Sequence, residues 1–238
     1  MIDFSPVISY HFTDFDFIKA IEGRMLILHD MRVSGNCYKV RLLLALLDIA
    51  FKSRAIEPSA GQSSTSDFLA LNPKGSVPFL EFDHGVGLSE SNAILLYLAE
   101  DTPYLPRDKF LRAKVYEWLF FEQYYHEPKI AVRIALQTVA TRKHLATAER
   151  MADLLAGGVK ALAIMEAQLE KTPFIVGDAF SIADIALYAY THKAGEGGFD
   201  LSFFPAIIDW LARVEKQERF VDMNWLPDNA ALSLMIKP

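Results

Sequence analysis

Val77-Pro78-Phe79-Leu80-Glu81-Phe82, followed by Leu88-Ser89-Glu90-Ser91-Asn92-Ala93-Ile94, is the stretch on which the fold turns. Residues 77 to 82 read as a strand, Gly85 and Gly87 bracket a tight turn, and Leu88 ends a short return strand. A helix then runs from Ser91 to about 100. Working outward toward the N-terminus, Met25-Leu26-Ile27-Leu28 is a short apolar strand, and 29 to 35 form a polar turn. Leu42, Leu43, Leu46 and Leu47 recur at helical spacing, 51 to 56 alternate as a strand, and 66 to 71 suit a brief helix. The order is βαβ, then α, then ββα. In the other direction, Pro103 and Pro106 deny backbone donors and disfavour helix, which places a linker at 101 to 108. Everything beyond it reads as helix, at 109 to 142, 146 to 171, 182 to 194 and 205 to 217, broken by Gly195-Glu196-Gly197-Gly198. The expected fold class is therefore α/β plus all-α. Its segments are an N-terminal extension at 1–24, an α/β domain at 25–100, the linker, a helical domain at 109–220 and a tail at 221–238.

Composition narrows the function. The 238 residues carry a net charge of −6, with lysines and arginines scattered rather than clustered, so neither the charge nor its pattern attracts a phosphate backbone, and nucleic acid is not an expected partner. Cys37 is the single cysteine, which rules out an intrachain disulfide, a CxxC pair or a cysteine zinc cluster and fits a reducing, cytoplasmic setting. The six histidines lack the i,i+4 pairing of a helical zinc motif, so no metal is expected. Apolar runs such as 42 to 47 stop far short of a bilayer's width, and no membrane association is expected. Residues 1–24 hold Asp3, Asp14 and Asp16 and lack a basic leader, unlike a secretory or transit peptide; Met25 could serve as an alternative initiator.

Four separated signals fall in a telling order: Ser34-Gly35-Asn36-Cys37-Tyr38-Lys39-Val40, Asn72-Pro73-Lys74-Gly75-Ser76-Val77-Pro78, Glu90-Ser91-Asn92-Ala93-Ile94, and the run from Gly177 to Asp184. With them the chain resembles the glutathione transferase superfamily over roughly 25 to 220, as a bacterial, serine-type member. The resemblance implies a thioredoxin-like domain followed by a helical bundle, glutathione as co-substrate, a small hydrophobic electrophile as its partner, and a homodimer formed through the third and fourth helices. It also implies a cis Val77-Pro78 bond, with the Val77 backbone against the cysteinyl part of glutathione. From spacing alone, Pro78 could equally open an edge strand in trans.

Glu90 and Ser91 stand where a helix begins, and helix-terminal amides favour a carboxylate. Glu90 suits the γ-glutamyl ammonium and Ser91 the carboxylate, although serine at such a place is also the usual N-cap. Lys74 could reach the glycyl carboxylate or remain a solvated loop lysine, and Gln62 is a weaker choice. Chemistry needs a thiolate, and lowering a thiol pKa by about two units takes roughly 2.7 kcal/mol. The family resemblance assigns that stabilisation to the Ser34 hydroxyl, with the Asn36 amide beside it; both residues are also favoured helix caps. Cys37 could form a mixed disulfide, but cysteine-type relatives would place the nucleophile at Ser34, which leaves Cys37 as a small buried residue. A glutathione-dependent thiol-disulfide or peroxide reductase, or a non-catalytic interaction module on the same fold, are the alternatives.

In the helical half, Ser181 and Asp184 spell a capping box with Phe180 and Ile185 as its staple, which assigns Asp184 to structure. Trp118, Phe121, Glu122 and Tyr125 recur at helical spacing, and Pro128 should kink that helix by freeing the Tyr124 carbonyl. Tyr124, Tyr125, His126 or Arg133 could face the hydrophobic substrate, or simply form a packed stripe, and Trp225 could close the pocket.

Overall fold

A computed structural model describes residues 25–82 and 86–228. The expected 1–24 extension, the end of the tail and Gly85 of the hairpin turn lie outside the described residues. Strand β1 (Leu26–Asp30) leads into helix α1 (Gly35–Leu46), followed by β2 (Phe51–Ala55), α2 (Ser66–Leu71), β3 (Phe79–Glu81), β4 (Gly87–Ser89) and α3 (Ser91–Ala99). The sheet order is β2-β1-β3-β4, with β1 and β2 parallel and the other two pairs antiparallel. This mixed four-stranded sheet with its helices is the thioredoxin-like arrangement, and a helical domain follows it.

That domain contains α4 (Lys109–Phe121), α5 (Glu127–Thr138), α6 (Ala148–Leu169), α7 (Ile182–Thr191) and α8 (Pro205–Glu215). The single helix expected over 109 to 142 is interrupted. Residues Glu122–His126 form a π-helical turn in which the Glu127 amide reaches the Glu122 carbonyl, and Pro128 sits in the first turn of α5. The wider turn accommodates a proline that cannot donate to the carbonyl four residues back. The chain after Thr138 then tightens into a 3-10 stretch, Ala140–Leu145.

Helix α1 is the pivot of the molecule. It is buried along nearly its whole length, because α3 covers it on one side and α7 of the helical domain on another. Two charges lie inside it. Arg41 pairs with Asp30 at the end of β1 and donates to the carbonyls of Arg32 and Met223, both at 2.9 Å. Lys39 meets Glu122 of the π turn at 2.9 Å, with both side chains fully buried. Such charges are tolerated only as pairs, and removing one partner typically costs about 3–5 kcal/mol.

The capping box forms as the sequence predicts and extends further. Asp184 accepts from the Ser181 amide and hydroxyl, from the Ile175 amide at 2.9 Å and from Trp210 Nε1 at 2.9 Å. One carboxylate thus ties α7, α8 and the preceding loop together. Phe180 stacks edge-on against Tyr104 and Phe174.

Candidate functional site

The loop before β3 is shaped by Asn72, whose amide donates to the Ser76 carbonyl at 2.7 Å while its oxygen accepts from the Lys74 amide at 3.3 Å. Gly75 between them takes φ +60°, a left-handed conformation that glycine adopts without penalty. The Val77-Pro78 bond that follows is cis. Opposite it, α3 begins in an unusual way. Glu90 occupies the N-cap position with φ 72°, and its side chain caps nothing. Ser91, offered by the sequence as a cap, is instead the first helical residue, buried, with its hydroxyl donating to Asn36 Oδ1 at 3.3 Å. The first amides of α3 are therefore left without a side-chain partner, facing a cleft of about 230 Å³ lined by Asn36, Ser76, Val77, Pro78, Glu90, Ser91 and Gln123.

Of the residues expected in the site, Val77, Glu90, Ser91 and Asn36 converge on this cleft. Lys74 stands at its rim, where its ammonium pairs with Glu90 at 2.6 Å, both side chains being about half exposed. Ser34 is not among the lining residues. It is the N-cap of α1, accepting from the Cys37 amide at 3.3 Å, which leaves its hydroxyl proton free to donate elsewhere. Gln62 is folded back onto the Glu57 amide at 2.8 Å on an exposed turn. Cys37 is fully buried and accepts from the Met31 amide, and burial together with the nearby Asp30 pushes its thiol up to about 12. A thiol held protonated and out of solvent is not a nucleophile.

Several contributors were not anticipated. Gln123 and Ser76 line the cleft. Tyr190 of α7 accepts from the Asn36 amide at 3.2 Å, and burial raises its phenol. Lys39 approaches Ser91 Oγ at 3.4 Å from below, while Glu122 also accepts from Asn92 at 3.0 Å and Gln123 at 2.8 Å. The signal that could have found this network was Glu122 itself, a carboxylate inside an otherwise aromatic helical stripe.

A second, apolar cavity of about 600 Å³ adjoins the first through Gln123, which borders both. Trp118, Phe121, Tyr124 and Tyr125 line it, so two of the four residues expected at a hydrophobic pocket are there. The other two are not. His126 is fully buried, its Nε2 bonded to Thr191 Oγ1 at 2.9 Å and its pKa pushed down to about 4 by burial. Arg133 turns to the carbonyls of Gly197 (2.5 Å) and Met151 and lies over Phe199. Trp225 packs on Phe51 beside β2 and lines neither cavity.

Residues 28–106 match the family description "Glutathione S-transferase, N-terminal domain" and residues 146–213 match "Glutathione S-transferase, C-terminal domain". The chain belongs to the glutathione transferase superfamily. A crystal structure of a glutathione S-transferase from Pseudomonas fluorescens is 46% identical, with a TM-score of 0.81 over 83% of this chain and 98% of that one. The disulfide-bond oxidoreductase YfcG of Escherichia coli (strain K12) is 26% identical over 76% of this chain and 86% of its own. A Burkholderia graminis glutathione transferase crystallised with two glutathione molecules per subunit is 24% identical, with a TM-score of 0.71 over 82% of this chain and 85% of that one. Among the described residues no helix is long and apolar enough to cross a membrane.

Proposed function

We propose that this chain is a cytoplasmic glutathione transferase of serine type, which ionises glutathione in the smaller cleft and presents the thiolate to an electrophile in the apolar cavity. The observation that carries this reading is the uncapped start of α3. Its free amides and the Ser91 hydroxyl suit the γ-glutamyl carboxylate, and Glu90 suits the ammonium once Lys74 releases it. Lys74 is then free for the glycyl carboxylate. The Val77 backbone, beside its cis proline, faces the cysteinyl amide. Ser34 supplies the hydroxyl that stabilises the thiolate, since capping uses only its oxygen lone pair, and Asn36 supplies an amide.

Chemistry then follows directly. The sulfur attacks the electrophilic carbon, a C–S bond forms, and the leaving group departs with its electron pair. Phe120 and Tyr124 remain largely exposed on the cavity's outer wall, and a second copy of the chain packed there would complete a homodimer.

Glutathione titration followed by thermal shift on the parent, Ser34→Ala and Ser91→Ala tests the reading. The parent should gain stability with ligand. Ser91→Ala should lose most of that gain, whereas Ser34→Ala should keep it and lose turnover with an aryl halide. No shift in the parent at millimolar glutathione overturns the assignment. A disulfide-reductase activity, suggested by the Escherichia coli relative, would have to run through bound glutathione because Cys37 is sealed in the core. Cys37→Ser should leave any such activity intact.

A further inference from the structure

The π turn Glu122–His126 puts two neighbouring side chains to different uses. Glu122 is fully buried, while Gln123 stands half-buried between the two cavities and is the one residue that lines both. A molecule that reaches from the smaller cleft, where the proposed function seats the sulfur, into the apolar cavity passes the Gln123 amide.

The sense of that amide is fixed. Its Nε2 donates to Glu122 Oε2 at 2.8 Å. The same carboxylate oxygen takes Lys39 of α1 at 2.9 Å and Asn92 of α3 at 3.0 Å, so it is an ionised acceptor anchored on two helices. Turning the amide over would set its carbonyl oxygen against a carboxylate oxygen, two acceptors with no proton between them. The Gln123 carbonyl is thus the end left for the cavities, and among the described residues it receives no hydrogen bond. Around it the larger cavity is walled by Trp118, Phe121 and Tyr125, and the carboxylate at its border, Glu117, is already paired with Lys114 at 2.6 Å. An apolar molecule pressed against the Gln123 carbonyl would strip its water and return no donor, which costs more than a hydrogen bond formed there would gain.

Resting on the transferase reading, we propose that the Gln123 carbonyl is a specificity determinant, which selects electrophiles that carry an N–H or O–H donor close to the reacting carbon and an apolar group beyond it. An α-halo secondary amide with an aromatic substituent has that layout. Its ring enters the aromatic cavity, its N–H donates to Gln123 Oε1 at the junction, and its halomethyl carbon faces the sulfur. The thiolate forms the C–S bond, the C–halogen bond breaks, and halide leaves with the electron pair. The amide N–H keeps its proton throughout, so Gln123 orients the substrate and takes no part in proton transfer.

A matched pair of electrophiles tests it. N-benzylchloroacetamide and benzyl chloroacetate share the ring and the reacting carbon, and differ in an N–H replaced by an ester oxygen that cannot donate. For each, kcat/KM at saturating glutathione is divided by the rate of the uncatalysed reaction, and the amide-to-ester ratio is compared between the parent, Gln123→Leu and Gln123→Met. The parent should favour the amide, and the ratio should fall by about two- to tenfold in both variants, the range of a neutral hydrogen bond. Circular dichroism verifies folding, and the near-isosteric Gln123→Met keeps the test open if Gln123→Leu does not fold. The ratio staying the same in the folded variants overturns the proposal, including the case in which both electrophiles lose turnover equally because Gln123 serves glutathione instead. No preference for the amide in the parent overturns it as well, while leaving the transferase reading in place. No catalysed turnover of either electrophile by the parent overturns the transferase reading, and this proposal with it.

Discussion

Helices α7 and α3 each begin at a serine beside a carboxylate, Ser181 with Asp184 and Ser91 with Glu90, and the two starts are built in opposite ways. At α7 every group is matched: the serine and aspartate cap each other, and the aspartate takes two further donors from Ile175 and Trp210. At α3 the acid sits outside the helix in a left-handed conformation, half exposed, and caps nothing. A positive φ costs a non-glycine residue of order 1–3 kcal/mol, and such residues persist where surrounding structure imposes them. The closed start holds two parts of one domain together. The open start holds its amides in readiness for something outside the chain.

The comparison can be broken most directly at Asp184. Asp184→Ala strands four buried donors, so we expect a loss of about 3–5 kcal/mol in denaturant unfolding, with glutathione affinity unchanged wherever the protein remains folded. Unchanged stability with lost affinity would reverse the roles of the two helices.

The far end of α7 offers the next test. His126, bonded to Thr191, holds its ring neutral down to about pH 4, while the ordinary histidine value is 6.5. Between those values the unfolded chain binds the additional proton, so stability is full above about 6.5 and falls as the pH drops toward 4. The gap corresponds to about 3 kcal/mol. Unfolding midpoints across that range should show the fall in the parent, and a much flatter profile in His126→Gln.

At α3 the expected effects move from stability to binding. Ser91→Ala should weaken glutathione by about 1.5–3 kcal/mol, the range of a hydrogen bond to a charged group, with a far smaller change in melting. Lys74→Met removes an exposed ion pair and should alter stability by less than about 1 kcal/mol. It should still weaken binding measurably if Lys74 meets the glycyl carboxylate. The smallest effect belongs to Cys37, whose folded thiol should resist alkylation at mildly alkaline pH and react only after denaturation.

What the sequence disclosed, and what it concealed, follows from how local each signal is. The ββα unit and the α7 capping box are written in neighbouring residues: turn glycines, a Val-Pro pair, a serine three residues before an aspartate. The convergence of Asn36, Val77, Glu90 and Ser91 could be anticipated because family motifs carry it. Lys39 and Arg41 could not be read as buried, since charges on a leucine-rich helix ordinarily point to water, and their partners Glu122 and Met223 lie in distant segments. The proline at 128 announced a disturbance, but the widened turn that absorbs it depends on tertiary packing. For Arg133 the sequence left a pocket-facing and a packed position both open, because its partners, the carbonyls of Gly197 and Met151, lie on other segments.

The last described residues carry a consequence for the order in which the chain can mature. Tyr38 donates to the Val221 carbonyl at 2.7 Å, and Arg41 to that of Met223, 182 residues further on. On a ribosome the first domain emerges long before either carbonyl exists. Its central helix must wait, with the Arg41 guanidinium still short of an acceptor, until the segment from Val221 to Trp225 is laid across it. Synthesis from one end to the other thus makes the final stretch of chain the clasp that closes the beginning.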